Sequence, residues 1–148
     1  MEENLLHDLG HTVRLMHREQ QKRLETYGLH WGQPRLLHYL MHHDGSPQHE
    51  IGAFLDIRPA TLTKTVRRLE EAGFVRRERD AQDARLVRVW LSVRAREVMA
   101  ALLAAMQEEE ARALRGFSEE DRGDLRDMLA RIRANLGMPG PRCGGRSS

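Results

Sequence analysis

The sequence predicts a mainly helical chain with one small β-hairpin, on three observations. Over most of the 148 residues apolar side chains recur at three- and four-residue steps, the period of amphipathic helices. The pattern changes to alternation where Val87, Val89 and Leu91 are set against Leu86, Arg88 and Trp90, as in a half-buried strand. Between these segments Gly, Pro and Ser fall where helices start and stop, so the punctuation agrees with the periodicity.

Residues 4–27 carry Leu5, Leu6, Leu9, Val13, Met16 and Leu24 on one face, a helix whose apolar stripe has no partner nearby in sequence. Residues 28–32 break it, and Pro34 opens a second helix to about residue 43 with Leu36, Leu37, Leu40 and Met41 inward. Asp44 and Gly45 form a turn. Ser46 and Pro47 then read as the cap and first position of a short third helix that buries Ile51, Phe54 and Leu55. Residues 56–58 turn the chain into a fourth helix, 59–72, with Leu62, Val66 and Leu69 as its buried stripe. Pro59 suits the first position, where its missing N–H costs nothing, and Gly73 suits a left-handed stop. Two β-like runs, 74–79 and 85–91, enclose the polar turn Asp80-Ala81-Gln82-Asp83-Ala84. Ser92 caps a long helix, 93 to about 115, built on Val98, Met99, Leu102, Leu103 and Met106. Gly116 interrupts it, and Ser118-Glu119-Glu120-Asp121 has the form of a capping box for a last helix with Leu125, Met128, Leu129, Ile132 and Leu136 in its stripe. Residues 137–148 have no periodicity and read as a disordered tail.

Charge singles out the fourth helix and the hairpin. Between positions 58 and 96 stand 11 Lys+Arg against 5 Asp+Glu, a net +6 in a chain whose total is +2. Opposite its buried stripe the helix carries Thr61, Thr63, Lys64, Arg67 and Arg68. Short hydroxyl side chains with long cations behind them suit a major groove, the hydroxyls meeting base edges while the cations neutralise phosphates. A solvated surface produces the same composition, so the helix alone does not decide. The hairpin directly after it does: a helix-turn-helix leading into a β-hairpin is the layout of a winged helix-turn-helix.

Here the sequence resembles a known family. Residues 69–92, LEEAGFVRRERDAQDARLVRVWLS, look like the wing region of the MarR (multiple antibiotic resistance regulator) transcription factors. The Leu-Glu-x-x-Gly-hydrophobic-Val-x-Arg opening is met by Leu69, Glu70, Gly73, Phe74, Val75 and Arg77, and the Asp-x-Arg tip by Asp83 and Arg85. The resemblance implies that Arg85 enters the minor groove with Asp83 fixing its side chain. A guanidinium suits the negative potential of a narrow minor groove, and a carboxylate can hold its fork. The chain departs from the family in one respect: where a Ser often precedes the recognition helix it has Arg58, exchanging a hydroxyl cap for a cation that can meet a phosphate.

The same resemblance implies a single domain over residues 1–136, in which helices 4–27 and 93–136 dimerise and flank a winged helix-turn-helix at 33–91. The residues agree, since the first and last helices each present an apolar face that pairing between two chains would bury. A two-fold dimer predicts a pseudo-palindromic site with half-site centres ~34 Å apart. A small-molecule pocket is implied between the dimerisation helices and the winged region, on elements that carry His11, Trp31, His38 and Tyr39.

Composition bounds the alternatives. Apolar content of 40% with 31% charge describes a soluble protein. The longest apolar run, residues 98–106, is half of the ~18 residues that span a bilayer. The acidic first residues lack the features of a signal peptide, so no membrane partner and a cytoplasmic location are expected. Cys143, the single cysteine, lies in the tail and has no internal partner.

All eight histidines fall between positions 7 and 49, and the pairs His7/His11 and His38/His42 have the i, i+4 spacing that zinc can use. The long helix after the hairpin carries no histidine to complete such a site, although Glu or Asp, such as Glu25 or Asp44, could substitute; no metal site or cofactor is assigned. His49-Glu50 begins a zinc-protease motif that fails at Ala53. With no phosphate loop or nucleophile motif either, the chain reads as no enzyme. The reading is therefore a homodimeric, sequence-specific regulator that binds double-stranded promoter DNA as a ligand-responsive repressor. The alternative is a zinc- or metabolite-binding sensor with weak or no specific DNA readout.

Overall fold

A computed structural model describes residues 4–137; the expected tail, Cys143 included, lies outside the described residues apart from Gly137. Nine elements follow in order: α1 (Leu5–Thr26), α2 (Gln33–His42), β1 (Ser46–Pro47), α3 (Gln48–Leu55), α4 (Pro59–Glu71), β2 (Val75–Arg79), β3 (Val87–Leu91), α5 (Val93–Ala113) and α6 (Glu119–Asn135). The chain divides into two compact units, residues 1–103 and 104–148.

The first unit holds the core. Leu36, Leu37 and Leu40 of α2, Ile51 and Leu55 of α3, Leu62, Val66 and Leu69 of α4, Phe74, Val89, and Ala95, Val98, Met99 and Leu102 of α5 form one buried cluster. The apolar spacing of α2, of α4 and of the first half of α5 thus reappears as a buried face, whereas Met106, further along the α5 stripe, is exposed. Two local features let α3 and α4 pack closely. Asp56 takes a left-handed conformation (φ 55°) to end α3, and Ile57 N–H donates to the Gly52 carbonyl at 2.9 Å. A Cβ on Gly52 would stand 3.1 Å from Leu62 Cδ2, so glycine there lets α4 lie against α3.

The sheet departs from the sequence reading. Ser46 and Pro47 do not cap and open α3; they form a short strand antiparallel to β3, Ser46 opposite Val89 and Pro47 opposite Arg88, in the order β1-β3-β2. Local capping chemistry lost to a pairing with residues more than forty positions away, and α3 begins at Gln48 with no side-chain cap. Phe54 differs as well: it is 40% exposed, its ring tilted at 40° against Tyr39 with centroids 4.7 Å apart.

Arg94, at the start of α5, fastens the end of α4. Its guanidinium lies 4.6 Å from the Phe74 ring centroid and donates to the carbonyls of Ala72 and Tyr27. In α1 only Leu24 is buried, leaving Leu5, Leu6, Leu15 and Met16 exposed.

In the second unit Gly116 (φ 85°) ends the α5 segment. The capping box is present as read: Asp121 N–H donates to Ser118 Oγ at 3.1 Å and Ser118 N–H to the Asp121 carboxylate at 2.7 Å. No residue of α6 is buried, and Met128 and Leu136 are more than half exposed.

Candidate nucleic-acid interface

The recognition helix presents the face the spacing predicts. Leu62, Val66 and Leu69 are buried, while Thr61, Thr63, Lys64, Arg67 and Arg68 are all exposed. These side chains differ in how free they are. Arg67 Nε is 2.9 Å from Glu71 Oε1, an exposed i, i+4 pair, so part of its charge is answered within the helix. Among the described residues no ion pair engages Lys64 or Arg68. Thr63 Oγ1 donates to the Pro59 carbonyl at 2.9 Å, and Thr65 does the same to Thr61. Arg58 sits at the N-cap in an extended conformation, exposed and without a side-chain cap bond, as its replacement of a hydroxyl residue implies.

The wing tip places its arginine in a clamp. Arg85 donates to Asp83 Oδ1 through its backbone N–H at 3.0 Å and Nε at 3.1 Å, and to Oδ2 through its terminal nitrogen at 3.3 Å. The Arg85 side chain is nevertheless 90% exposed. A cation is thereby held in one orientation with most of its surface open, and these bonds keep the Asp83 carboxyl below its usual range. The Asp83–Arg85 pairing expected from the resemblance is present in the geometry.

What the sequence reading missed is the scaffold beneath the tip. Asp80 accepts from the backbone N–H groups of Gln82 and Asp83 at 2.8 and 2.9 Å and from the Arg88 guanidinium. Arg88 first, then those backbone bonds, depress the Asp80 carboxyl to about 2. Arg88 also donates to the Gly45 carbonyl at 2.9 Å, which ties the wing to the turn before β1. Asp44 continues the tie by accepting from Leu91 N–H at 2.8 Å and from Arg96. At the other end of β2, Glu70 accepts from the backbone and guanidinium of Arg77, and those bonds lower its pKa. The signal available in the sequence was an Asp eight residues before an Arg across a hairpin, legible only once the register Glu78 opposite Arg88 is known. Gln48, at the start of α3, was likewise not singled out; its Nε2 donates to Thr63 Oγ1 at 2.9 Å.

Between α3, the turn after it and the wing lies an open cleft of about 530 Å³, with Gln48, Gly52, Pro59, Leu62, Arg85 and Val87 in its lining. Of the candidate contact residues Arg85 borders this cleft, while Thr63, Lys64, Arg67 and Arg68 line a separate shallow depression on the outer face of α4.

The four candidate pocket residues are not brought into one cluster. His11 and His38 are exposed. Trp31 lies on His17 at 4.2 Å between ring centroids, and Tyr39 packs between His43 and Phe54. Among the described residues no ring contact joins these four to one another. The His38 and His42 rings meet edge-on at 5.1 Å, and among the described residues no group of three or more His, Cys, Asp or Glu could hold a metal ion. No described helix is long and apolar enough to cross a membrane.

Comparison with known proteins agrees with this geometry. The model of the MarR family matches residues 27–86. The uncharacterized HTH-type transcriptional regulator YwoH of Bacillus subtilis (strain 168) is 31% identical over 119 residues, which is 80% of this chain and 86% of that protein. Among solved structures, the transcriptional regulator SlyA is 25% identical with a TM-score of 0.71, over 90% of this chain and 94% of its own. A MepR variant from S. aureus bound to an oligodeoxyribonucleotide is 24% identical with a TM-score of 0.65, over 91% of this chain and 99% of its own, a likeness of fold.

Proposed function

The chain belongs to the MarR family, and from that premise we propose that this DNA-binding transcriptional regulator represses by occupying promoter DNA as a homodimer, with α4 in the major groove and the wing tip in the adjoining minor groove. The observation that carries the reading is the Asp83 clamp, which holds Arg85 in place while leaving its side chain 90% exposed. A surface arginine kept for solubility has no need of an orienting carboxylate; one that must enter a narrow groove does. Arg58, Thr61, Thr63, Lys64, Arg67 and Arg68 supply the base and phosphate contacts beside it.

Dimerisation belongs to the same proposal, through helices 4–27 and 93–136 on either side of the winged region 33–91. Its support is the row of exposed apolar side chains on α1 and α6. Work on the chromosome places the protein in the cytoplasm. A small-molecule effector would act by favouring a spacing of the two recognition helices that DNA does not accept; Trp31 with His17 and Tyr39 with His43 are the aromatic surfaces open to it, with His11 and His38 on the same helices.

The test is binding of the purified protein to DNA from its own upstream region across a salt titration. Tight binding of one dimer per palindrome, with the logarithmic affinity falling by about 0.9 per phosphate contact, is expected. Affinity no greater than for random duplex, with zinc or a metabolite bound stoichiometrically instead, would replace this reading with that of a sensor that does not read DNA.

A further inference from the structure

A continuous relay of hydrogen bonds joins the wing tip to the body of the first unit. It begins at the Gly45 carbonyl, in the turn after α2, which accepts from the Arg88 guanidinium at 2.9 Å. The same guanidinium donates through Nε to Asp80 Oδ2, and Asp80 Oδ1 accepts from the backbone N–H groups of Gln82 and Asp83 at 2.8 and 2.9 Å. The Asp83 carboxylate then holds Arg85. β2 and β3 pair only as far as Arg79 opposite Val87, so the residues that aim Arg85 lie beyond the last pair of the ladder. Arg79 braces the other side of the loop by donating to the Ala84 carbonyl at 3.1 Å. Arg88 is turned inward by comparison with the tip: its side chain is 36% exposed and that of Asp80 14%, against 90% for Arg85.

We propose that Arg88 is a positioning residue for Arg85: by bridging Gly45 and Asp80 it fixes the backbone of Asp83, and with it the direction in which the tip arginine leaves the protein relative to α4. The minor groove is only about 6 Å wide, so a guanidinium displaced sideways meets the sugar-phosphate wall instead of the base edges. A planar fork with donors on separate nitrogens suits such a bridge. Charge separates this role from a plain electrostatic one. If Arg88 aided DNA binding through its charge, removing it would weaken binding, and neutralising Asp80, which answers that charge, would strengthen it. As parts of one brace, the two changes must act in the same direction. The inference rests on the reading of Arg85 as the minor-groove contact.

The experiment selects the preferred duplex from a random library with the full chain, then titrates it by fluorescence anisotropy with A·T or G·C pairs at the wing positions. Wild type, Arg88→Met, Asp80→Asn and Arg85→Ala are compared, and the first two changes are repeated in the Arg85→Ala background. Asn keeps an acceptor for the two backbone N–H groups and sets an NH2 group against Arg88, while Met keeps the apolar stem of Arg88 without its fork. Each change is expected to lower affinity by about two- to tenfold, the scale of ordering one long side chain. Each should also reduce the preference for a narrow, A·T-rich minor groove and add almost nothing once Arg85 is Ala. Preferences at the positions read by α4 are expected to stay as in wild type, which a general loss of structure would not allow. Arg88→Gln serves in place of Arg88→Met if circular dichroism shows that variant unfolded. Weaker binding with a lower salt slope in Arg88→Met, together with tighter binding in Asp80→Asn, would make Arg88 a phosphate contact and overturn the proposal. So would losses that add to that of Arg85→Ala, or unchanged binding in both variants while Arg85→Ala loses affinity. An Arg85→Ala protein that binds as wild type does would overturn the minor-groove reading itself, and the positioning role with it.

Discussion

Arg85 and Asp83 illustrate how one side chain can owe its function to another. Alone, an exposed arginine samples many rotamers, and ordering it on binding takes back part of what its contacts contribute. The three bonds to Asp83 impose that order beforehand. Arg85→Ala is therefore expected to weaken operator binding by about 1–3 kcal/mol, and Asp83→Ala to weaken it less, since the cation remains. In an Arg85→Ala background the Asp83→Ala change should cost almost nothing, because the carboxylate then has nothing to hold. Anisotropy titrations of the four proteins in a double-mutant cycle measure this; additive losses would show that the two residues act separately.

Asp80 makes a different prediction at the same scale. Its carboxyl titrates near 2 in the folded chain, below the ~3.9 of an unfolded aspartate. A group whose folded pKa is depressed stabilises the fold above its unfolded value and ceases to do so as pH falls through its folded value. The stability difference between wild type and Asp80→Asn, measured by urea unfolding, should thus be full at pH 5 and above and shrink as pH falls from about 4 towards 2. A difference that does not change with pH would mean that the Arg88 contact adds nothing beyond what the amide retains.

At the scale of elements, α4 contains cations of two kinds. Lys64 and Arg68 are unpaired among the described residues, while Arg67 is answered by Glu71. Replacing Lys64 or Arg68 by Ala should lower affinity for all sequences alike and reduce the salt slope by about one unit each. Arg67→Ala should do less, and Glu71→Gln should raise non-specific affinity by freeing Arg67. Equal slopes for all three alanine variants would show that Glu71 releases Arg67 on DNA. The Gly45 turn makes the corresponding prediction for the hairpin. Its φ is 76° and an added Cβ would meet the Trp90 ring at 2.5 Å, so Gly45→Ala combines left-handed strain with overpacking and should destabilise the fold by about 2–4 kcal/mol. The six helices, the β2–β3 hairpin and its exposed tip were legible in the sequence because their signals are local: period, caps and turn residues. β1, the Asp80–Arg88–Gly45 tie and the Gln48–Thr63 bond were not, because each joins residues distant in the chain, and only the folded register states which ones meet. Phe54 failed for a related reason, since helical spacing marks a face and does not say whether a neighbour covers it.

For the whole molecule the question is what covers the apolar side chains that the chain itself does not. On α1, Leu5 is 76%, Leu6 62%, Leu15 50% and Met16 44% exposed; on α6, Leu125 is 37% and Met128 54% exposed, and Leu136, which caps its end, 60%. Single exposed apolar residues are ordinary, whereas several along one helix, as on α1 and again on α6, are what the proposed dimer would cover. A second copy of the chain meets this need with the same surface on both sides. It also supplies the second recognition helix that a two-fold operator requires. Leu6→Glu or Met128→Glu would bury a charge in such an interface. Sedimentation equilibrium is expected to show a dimer for wild type and a monomer for either variant, with the first unit still folded because its buried cluster includes neither residue. Both variants should then bind a half-site as wild type does per recognition helix, yet lose the gain of the full palindrome, which comes from joining two sites in one molecule. A wild type that is monomeric at micromolar concentration, or a Met128→Glu protein that stays dimeric and binds the palindrome undiminished, would remove α6 from the interface and leave its exposed face to a different partner.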